Sequence, residues 1–304
     1  MKKIINIREQ SISYSDKVFD IVNVAAMLVL LFIFVWPLWF VVIASFSDPN
    51  EVWNGNVLLI PKGFTLAAYQ ELLNYRSIWR GFANTFFYTC AGTAINMVIT
   101  VCAAYPLSRK DFRAGKFFMF MFMLTMYFGG GLIPTYLVVN KLNLIDTPWA
   151  MMIPNACSIF NVIIMRSYFI NSIPASLEEA AELDGANELQ CLLKVILPLS
   201  KPILAVIALY YAVGHWNDFY SALLYINNKD LMPLQSVLRN LLLTTQLNAT
   251  NLQSLDAAGA EAKMRLSQTL KYSVIIASTV PVLCIYPFIQ KYFVKGVMIG
   301  SVKG

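Results

Sequence analysis

The stretch IVNVAAMLVLLFIFVWPLWFVVIA, residues 21–44, decides the class of this protein. Among its 24 residues Asn23 is the only strongly polar side chain, and about 20 consecutive apolar residues can cross the ~30 Å hydrocarbon core of a bilayer. The run is longer than the roughly 7–15 apolar residues of a secretory signal, and no small-x-small cleavage site follows it before SDPNEVW, residues 47–53. We therefore expect a helix that stays in the chain as a membrane anchor.

The composition of the whole chain agrees with this interpretation. Of 304 residues, 58% are hydrophobic and 13% are charged, and the mean hydropathy is +0.60, whereas a soluble domain is about 45–50% apolar and 25% charged. Five more apolar runs are long enough to span a bilayer. The sequence thus predicts an all-α integral membrane protein in which residues 1–304 form a single transmembrane domain. The six predicted spans are residues 21–44, 85–105, 117–139, 148–170, 202–226 and 272–293.

The distribution of Lys and Arg predicts the orientation. The N-terminal segment, the connection between the second and third spans, the region between the fourth and fifth, and the C-terminal segment together hold 14 of the 23 basic residues. Cytoplasmic loops are enriched in Lys and Arg. We therefore expect both termini, and with them residues 171–201, on the cytoplasmic side.

Several function classes lack the residues they need. The net charge is +6, but the basic residues bracket the spans and form no basic stripe interleaved with aromatics, so nucleic-acid binding is not expected. His215 is the only histidine and no C-x-x-C pair occurs, which disfavours a zinc site. A nucleotide-binding G-x-x-x-x-G-K-[ST] loop is absent as well. We expect this chain to be no enzyme and to bind neither a metal nor a cofactor itself.

Two spans carry a polar face. In the second span small and polar residues recur from Thr85 to Thr100 at helical spacing, and in the fifth span a similar face runs from Tyr210 to Ser221. Such a face either packs against another helix or lines a path, and a carboxylate inside a membrane is costly enough to suggest function. In the third span GGGLIPTY, residues 129–136, should break or widen the helix, through close packing or through a kink beside a pore. The candidate path residues are Tyr211, Trp216, Asn217 and Asp218 in the fifth span, Asn96 in the second, and Asn155 and Asn161 in the fourth.

The cytoplasmic stretch SLEEAAELDGANELQCLLKVILPLS, residues 176–200, is too polar to cross a membrane. Ser176 and Glu179 have the spacing of a capping box, which predicts a helix start. Asp184-Gly185 should end this helix, because glycine accepts the left-handed conformation of a helix terminus. A second amphipathic helix is predicted to end at Pro198. We expect a compact knob with an Ala/Leu patch rimmed by acids, a shape that can dock into a groove of another protein.

The same stretch resembles a known family. Its spaced residues resemble the EAA loop of the permease subunits of ABC importers, with Val195 where Ile is usual. Further segments are similar to the carbohydrate-uptake branch of these permeases, and GGLIPTYL at residues 130–137 resembles a sub-branch that includes permeases for plant-polysaccharide oligosaccharides. The EAA positions are Glu179, Ala180, Ala181, Gly185, Val195, Leu197 and Pro198, and the further segments are DGA at 184–186, WN at 216–217 and YFVKGVMIGSVKG at 292–304.

The resemblance implies a type I ABC importer in the cytoplasmic membrane. In such importers two six-span permeases form the path, two ATPase subunits bind ATP and Mg²⁺, and an external solute-binding protein or lipoprotein delivers the substrate. This chain would be one permease, embedded in lipid, without an ATPase site of its own, that moves an oligosaccharide by alternating access. Residues 171–201 would be the coupling segment that contacts the ATPase. The residues assigned to coupling are Leu177, Glu179, Ala180, Ala181, Asp184, Gly185, Leu197 and Pro198.

Other functions stay open at this stage. One is an ABC permease for a solute that is not a sugar. Another is a secondary transporter driven by an ion gradient, which also uses broken helices and intramembrane polar groups, although such chains usually show internal repeats and more spans. A membrane-embedded enzyme is disfavoured, because no constellation of catalytic side chains is evident.

Overall fold

A computed structural model describes residues 14–250, 265, 269–284 and 287. Within these ranges the regular structure is helical and contains no strand, as the apolar runs predicted. The helices are α1 Tyr14–Ser45, α2 Pro49–Trp53, α3 Ala67–Asn74, α4 Arg76–Ser108, α5 Gly115–Tyr127, α6 Leu132–Lys141, α7 Trp149–Met152, α8 Ile159–Ser172, α9 Ala175–Leu183, α10 Glu188–Cys191, a π-helical turn Leu192–Ile196, α11 Leu197–Leu199, α12 Lys201–Trp216, α13 Tyr220–Tyr225, a 3-10 turn Lys229–Leu231, α14 Leu234–Thr250 and α15 Thr269–Cys284.

The first of two compact units comprises the described residues among 1–70 and 252–276. Its main element is α1, whose most hydrophobic window is only 6% buried within the chain. An apolar helix with so little internal cover must be surrounded by lipid or by another subunit. After α1 the chain folds back, and the indole Nε1 of Trp39 donates a hydrogen bond to the carbonyl of Leu59 at 2.9 Å.

The second unit comprises the described residues among 71–251 and 277–304, and α4 is its central helix. Helices α8, α12 and α14 pack against it. Two threonines of the polar face of α4 make packing hydrogen bonds: Thr85 Oγ1 accepts from the Leu234 amide at 2.7 Å, and Thr100 Oγ1 lies 2.7 Å from the hydroxyl of Tyr211. Much of this polar face therefore serves helix packing.

A buried apolar core joins α4 to the segment predicted to contact an ATPase. It is contributed by α4, α8, α12 and the stretch from α10 through the π-helical turn. This core gives that segment a fixed base on α4, α8 and α12. Its largest or most deeply buried members are Ala104, Tyr105, Val162, Met165, Phe169, Cys191, Ile196, Ile207 and Tyr211.

The predicted count of six spans is only partly matched by continuous helices. Among the described residues two helices, α1 and α4, are long and apolar enough to cross a membrane, and up to four spans result if each of two bent helix pairs is one span. One bent pair is α5 with α6, which meet at 112°. The glycine triplet lies at this bend, and Gly131 has φ +84°, a backbone conformation that glycine adopts without strain. The break predicted at GGGLIPTY is therefore confirmed, and it takes the form of a bend between α5 and α6.

The fourth and fifth predicted spans are interrupted too. Residues 153–158 separate α7 from α8, and Pro154 within them lacks the amide that a continuous helix would need. In the fifth span α12 ends at Trp216 and α13 begins only at Tyr220. Of the sixth, α15 is described to Cys284, while residues 285–286, 288–293 and the YFVKGVMIGSVKG segment lie outside the described residues.

Candidate functional site

The first helix of the coupling segment, residues 171–201, is α9. It begins at Ala175, directly after Pro174 in extended backbone, and no side chain caps its first turn. Ser176 is therefore already inside the helix, so the predicted capping box of Ser176 and Glu179 is wrong. The sequence pattern misled because Pro174 fixes the start two residues earlier than the serine would require.

The turn after α9 has the predicted form. Gly185 has φ +80°, and the Ala186 amide donates to the carbonyl of Ala181 at 2.9 Å. A Cβ added at Gly185 would meet no atom within 4 Å. The backbone conformation, and not the available space, is what requires glycine here.

The helix that follows is capped and ended differently from the prediction. Asn187 and Gln190 form a reciprocal capping box, with bonds of 2.8 and 3.0 Å between side chain and backbone. Pro198 does not end the helix: it lies within α11, and the chain bends by 85° between Leu199 and Lys201 instead. A π-helical turn precedes Pro198, and the new helical segment α11 begins at Leu197. The first amides of a helical segment have no regular hydrogen-bond partner, so the amide that Pro198 lacks is not missed there.

The surface of the coupling segment carries exposed apolar side chains. Leu183 is 90% exposed, and Leu189 and Leu193 are also exposed. The prediction that acids rim this patch holds only in part. Glu178 and Glu182 form ion pairs with an arginine instead. Of the residues assigned to coupling, Leu177, Glu179, Ala180, Asp184, Gly185 and Pro198 are exposed, whereas Ala181 and Leu197 pack partly against the core.

That arginine is Arg109, the residue after α4, which lies in the basic connection between the second and third predicted spans. Its Nη1 lies 2.6 Å from Glu178 Oε2, and its Nη2 pairs with Glu182 and lies 3.3 Å from Glu188 Oε1. Burial acts to lower the pKa of Arg109, but the hydrogen bond to Glu182 and the charges of Glu178 and Glu188 raise it above its usual range. The guanidinium is therefore permanently charged. The signal in the sequence is the spacing of Glu178 and Glu182, one helical turn apart on one face.

The candidate substrate site is a polar cavity of about 300 Å³ in the second unit. The helix breaks at 153–158 and 217–219 bring irregular backbone to it, which membrane proteins tolerate where the backbone lines a cavity. Of the predicted path residues, the structure brings Asn96, Asn155, Tyr211 and Asp218 together here; His215 and Tyr220 were not predicted. The cavity is lined by Asn96, Asn155, Tyr210, Tyr211, Gly214, His215, Asp218, Tyr220 and Ser221.

Hydrogen bonds hold several of these side chains in place. The Nδ2 of Asn96 lies 3.3 Å from Nε2 of His215 and 3.5 Å from the carbonyl of Asn155. The hydroxyl of Tyr211 accepts from the Ser158 amide at 3.1 Å. Asn96 is only 2% exposed, yet its Oδ1 has no hydrogen-bond partner among the described residues. A buried acceptor without a partner is costly unless a ligand or water satisfies it.

Three predicted path residues lie elsewhere. Trp216 donates from Nε1 to the carbonyl of Ser278 at 3.0 Å and lines a separate apolar cavity of about 530 Å³. The amide of Asn217 is turned back onto its own helix, where Nδ2 donates to the carbonyl of Val213 at 3.0 Å. Asn161 is buried in α8 and does not line the polar cavity. The helical spacing that grouped Asn217 with Asp218 fails because α12 ends at Trp216.

The chain is similar to known proteins over nearly its whole length. Protein LplC of Bacillus subtilis (strain 168) is 40% identical over 290 residues, which are 95% of this chain and 96% of that protein. The polygalacturonan/rhamnogalacturonan transport system permease protein YtcP of the same organism is 39% identical and covers 95% of this chain and 99% of its own length. One solved structure, a bacterial ABC transporter involved in the import of the acidic polysaccharide alginate, contains a chain with 35% identity.

The solved structure aligns with a TM-score of 0.83 over 92% of this chain and 98% of that chain. This agreement, at 35% identity, shows that the chain has the all-helical fold of a type I ABC permease. A family model described as the binding-protein-dependent transport system inner membrane component matches residues 13–299, and the chain therefore belongs to this family of membrane permeases.

Proposed function

We propose that this chain is the permease subunit through which an ATP-driven importer moves an oligosaccharide across the cytoplasmic membrane. The observation that carries the proposal is the polar cavity, which combines tyrosines, amides and one carboxylate inside a permease of this family. The relatives are named for, or take part in, the import of polysaccharides and oligosaccharides. Membership in a binding-protein-dependent family also makes a carrier driven by an ion gradient the weaker interpretation.

The chemistry of the cavity suits a sugar. Tyrosine rings such as those of Tyr210 and Tyr220 offer faces for the apolar side of a pyranose, and their hydroxyls can exchange hydrogen bonds. The side-chain amide of Asn155, which is exposed and lines the cavity, can exchange hydrogen bonds with a sugar hydroxyl. Asp218 can accept another, since only one of its oxygens, Oδ1, accepts from the Ser221 amide, at 2.9 Å. The cavity therefore offers hydrogen-bonding groups and aromatic faces, as a polyhydroxylated ligand needs.

The proposed topology has six spans in one domain, residues 1–304, with both termini in the cytoplasm. It counts α5 with α6, α7 with α8, and α12 with α13 as one broken crossing each, and α15 as the start of the sixth. Support comes from the basic residues around residues 106–116 and 171–201, which the positive-inside rule puts on one side. The coupling segment then lies in the cytoplasm, where an ATPase can reach it.

The importer would contain more subunits than this chain. We expect a second permease, two ATPase subunits that bind ATP and Mg²⁺, and an external solute-binding protein or lipoprotein. The low internal cover of α1 supports a partner in the membrane, because an apolar helix so exposed gains packing only from lipid or another subunit. The exposed leucines of the coupling segment support a cytoplasmic partner.

Reconstitution tests the function directly. The chain is co-expressed with its genomic neighbours that encode a second permease, an ATPase and a binding protein, and the complex is placed in proteoliposomes. We expect uptake of labelled oligosaccharides only when ATP is supplied on the side of the membrane that carries the ATPase and the binding protein is present. A complex whose ATPase binds but cannot hydrolyse ATP is the control. Uptake that persists with this control, or that follows an ion gradient without ATP, contradicts the proposal.

A further inference from the structure

One guanidinium, that of Arg109, connects α9 and α10 of the coupling segment to the end of α4. Arg109 pairs with Glu178 and Glu182 on α9, before the Gly185 turn, and with Glu188 on α10, after it. These partners are 69 to 79 residues away along the chain. Helices α9 and α10 therefore each have a charged link to the same side chain.

The innermost of these pairs is shielded from solvent. The side chain of Arg109 is 11% exposed and that of Glu178 is 21% exposed, whereas Glu182 and Glu188 are more than half exposed. Exposed ion pairs contribute little, but a shielded charge that loses its partner is strongly unfavourable. The Arg109–Glu178 pair is thus the anchor, and the two outer acids fix the direction of the guanidinium fork.

Two more hydrogen bonds make this end of α4 rigid. The hydroxyl of Tyr105, in the last turn of α4, donates to Glu188 Oε2 at 2.8 Å. Arg166 of α8 donates from Nε to the carbonyl of Leu107 at 2.7 Å. The coupling segment, α4 and α8 are therefore connected through side chains that leave little freedom between them.

The other part of α4 reaches the polar cavity. The helix is continuous from Arg76 to Ser108, and Asn96 on it lines the cavity beside His215. The distance along the axis from Asn96 to the helix end is about 20 Å at 1.5 Å per residue. Helix α4 therefore joins the end that holds the coupling segment to a side chain that lines the cavity.

We infer that Arg109 is the positioning residue that makes α4 the connection between the coupling segment and the substrate cavity. The inference rests on the proposed function, since it assigns to Arg109 the transmission of ATPase motion to the transport path. Without the guanidinium, α9 and α10 keep their apolar base but lose their fixed orientation on α4. The ATPase then still docks and hydrolyses ATP, and fewer of its cycles move a substrate.

The test measures ATP hydrolysed per oligosaccharide taken up, per assembled complex, in the reconstituted importer. Arg109→Gln should raise this ratio at least fivefold, while the concentration of loaded binding protein that gives half-maximal uptake stays within twofold. Arg109→Lys should lie between, because an ammonium group cannot reproduce the planar fork that bridges several carboxylates. Arg113→Gln, which changes an exposed basic residue of the same connection, should keep the wild-type ratio.

A double-mutant cycle separates the ion pairs from a general loss of stability. Glu178→Gln with Glu182→Gln should raise the ratio by itself, and adding Arg109→Gln should raise it little further, because residues of one network are not additive. An Arg109→Gln complex with the wild-type ratio overturns the inference. If Arg109→Gln fails to assemble, an unchanged ratio in the Glu178→Gln/Glu182→Gln complex overturns it instead. A wild-type complex without ATP-dependent uptake refutes the proposed function, which is a different outcome.

Discussion

Gly92 of α4 lies so close to His215 of α12 that a Cβ on residue 92 would stand 2.5 Å from the imidazole Nε2. The same Nε2 is 3.3 Å from Asn96 Nδ2. One missing side chain on α4 thus lets the only histidine of the sequence approach the helix that carries the cavity asparagine. The relationship concerns both helix packing and the shape of the cavity.

Gly92→Ala should therefore disturb the pair of helices. The added methyl group must displace the imidazole, and overpacking of this kind typically costs about 1–3 kcal/mol. We expect a lower melting temperature of the detergent-solubilised complex and reduced uptake. Gly214→Ala is the matched control for the melting temperature, since a Cβ there meets no atom within 4 Å and alanine is the better helix residue. Equal melting temperatures for the two variants would contradict the close contact.

Substrate protection of engineered cysteines should map the cavity. In a background without the five native cysteines, cysteine at Asn155 or Asp218 should react with a water-soluble thiol reagent, and the transported oligosaccharide should slow the reaction severalfold. Cysteine at Asn217 should react without protection, because that side chain bonds to Val213 outside the cavity. Protection at 217 together with free reaction at 155 and 218 would place the path on another face.

The charge of Asp218 should influence which sugars pass. Among the described residues that line the cavity, Asp218 is the only carboxylate, and they include no Lys or Arg. Two like charges about 4 Å apart repel by roughly 1 kcal/mol in bulk water and by roughly 4 kcal/mol near a protein surface. Asp218→Asn should therefore raise uptake of a uronate oligosaccharide relative to a neutral one at least threefold. Asp230→Asn, which alters an exposed acid paired with Arg80, should leave that preference unchanged.

The sequence was sufficient where a feature depends on local pattern. Apolar runs predicted the helical membrane class, and Asp184-Gly185 predicted the turn whose φ is +80°. The break in the fifth span was not predicted from the sequence. Asn217 has the helical spacing of the cavity face, but it lies off that face because α12 ends at Trp216. Patterns of period 3.6 assume that the helix continues.

Features made by distant residues could not be predicted from spacing. The three glutamates that pair with Arg109 lie 69 to 79 residues further along the chain, and nothing in the segment around Arg109 distinguishes it from Lys110 or Arg113. His215 joins the cavity because Gly92, more than 100 residues earlier, leaves room for it. Only the packing of α4 against α12 and the ion pairs of Arg109 with α9 and α10 bring these groups together.

Gly185 should respond to the backbone preference of its replacement and not to its size. Open space surrounds the position, so Gly185→Asn should retain most of the ATPase that co-purifies with the complex, because asparagine visits the left-handed region. Gly185→Val should lose most of it, since a β-branched residue is strained there. Both variants should insert into the membrane with the second permease. Similar losses in the two variants would mean that side-chain volume, and not the backbone conformation, matters at this turn.

Leu183 provides the sharpest test of ATPase docking on the coupling segment. Its side chain is 90% exposed within the chain, so Leu183→Glu should leave the membrane insertion and the melting temperature of the permease pair unchanged. A buried carboxylate in an apolar interface is unfavourable, and co-purification of the ATPase should fall at least tenfold. Ala181→Trp is the informative contrast, because Ala181 packs against the core and its enlargement should lower the melting temperature of the pair itself. A Leu183→Glu complex that keeps its full complement of ATPase would show that the exposed leucine is not part of the docking surface, and the ATPase would then have to bind through another part of residues 171–201.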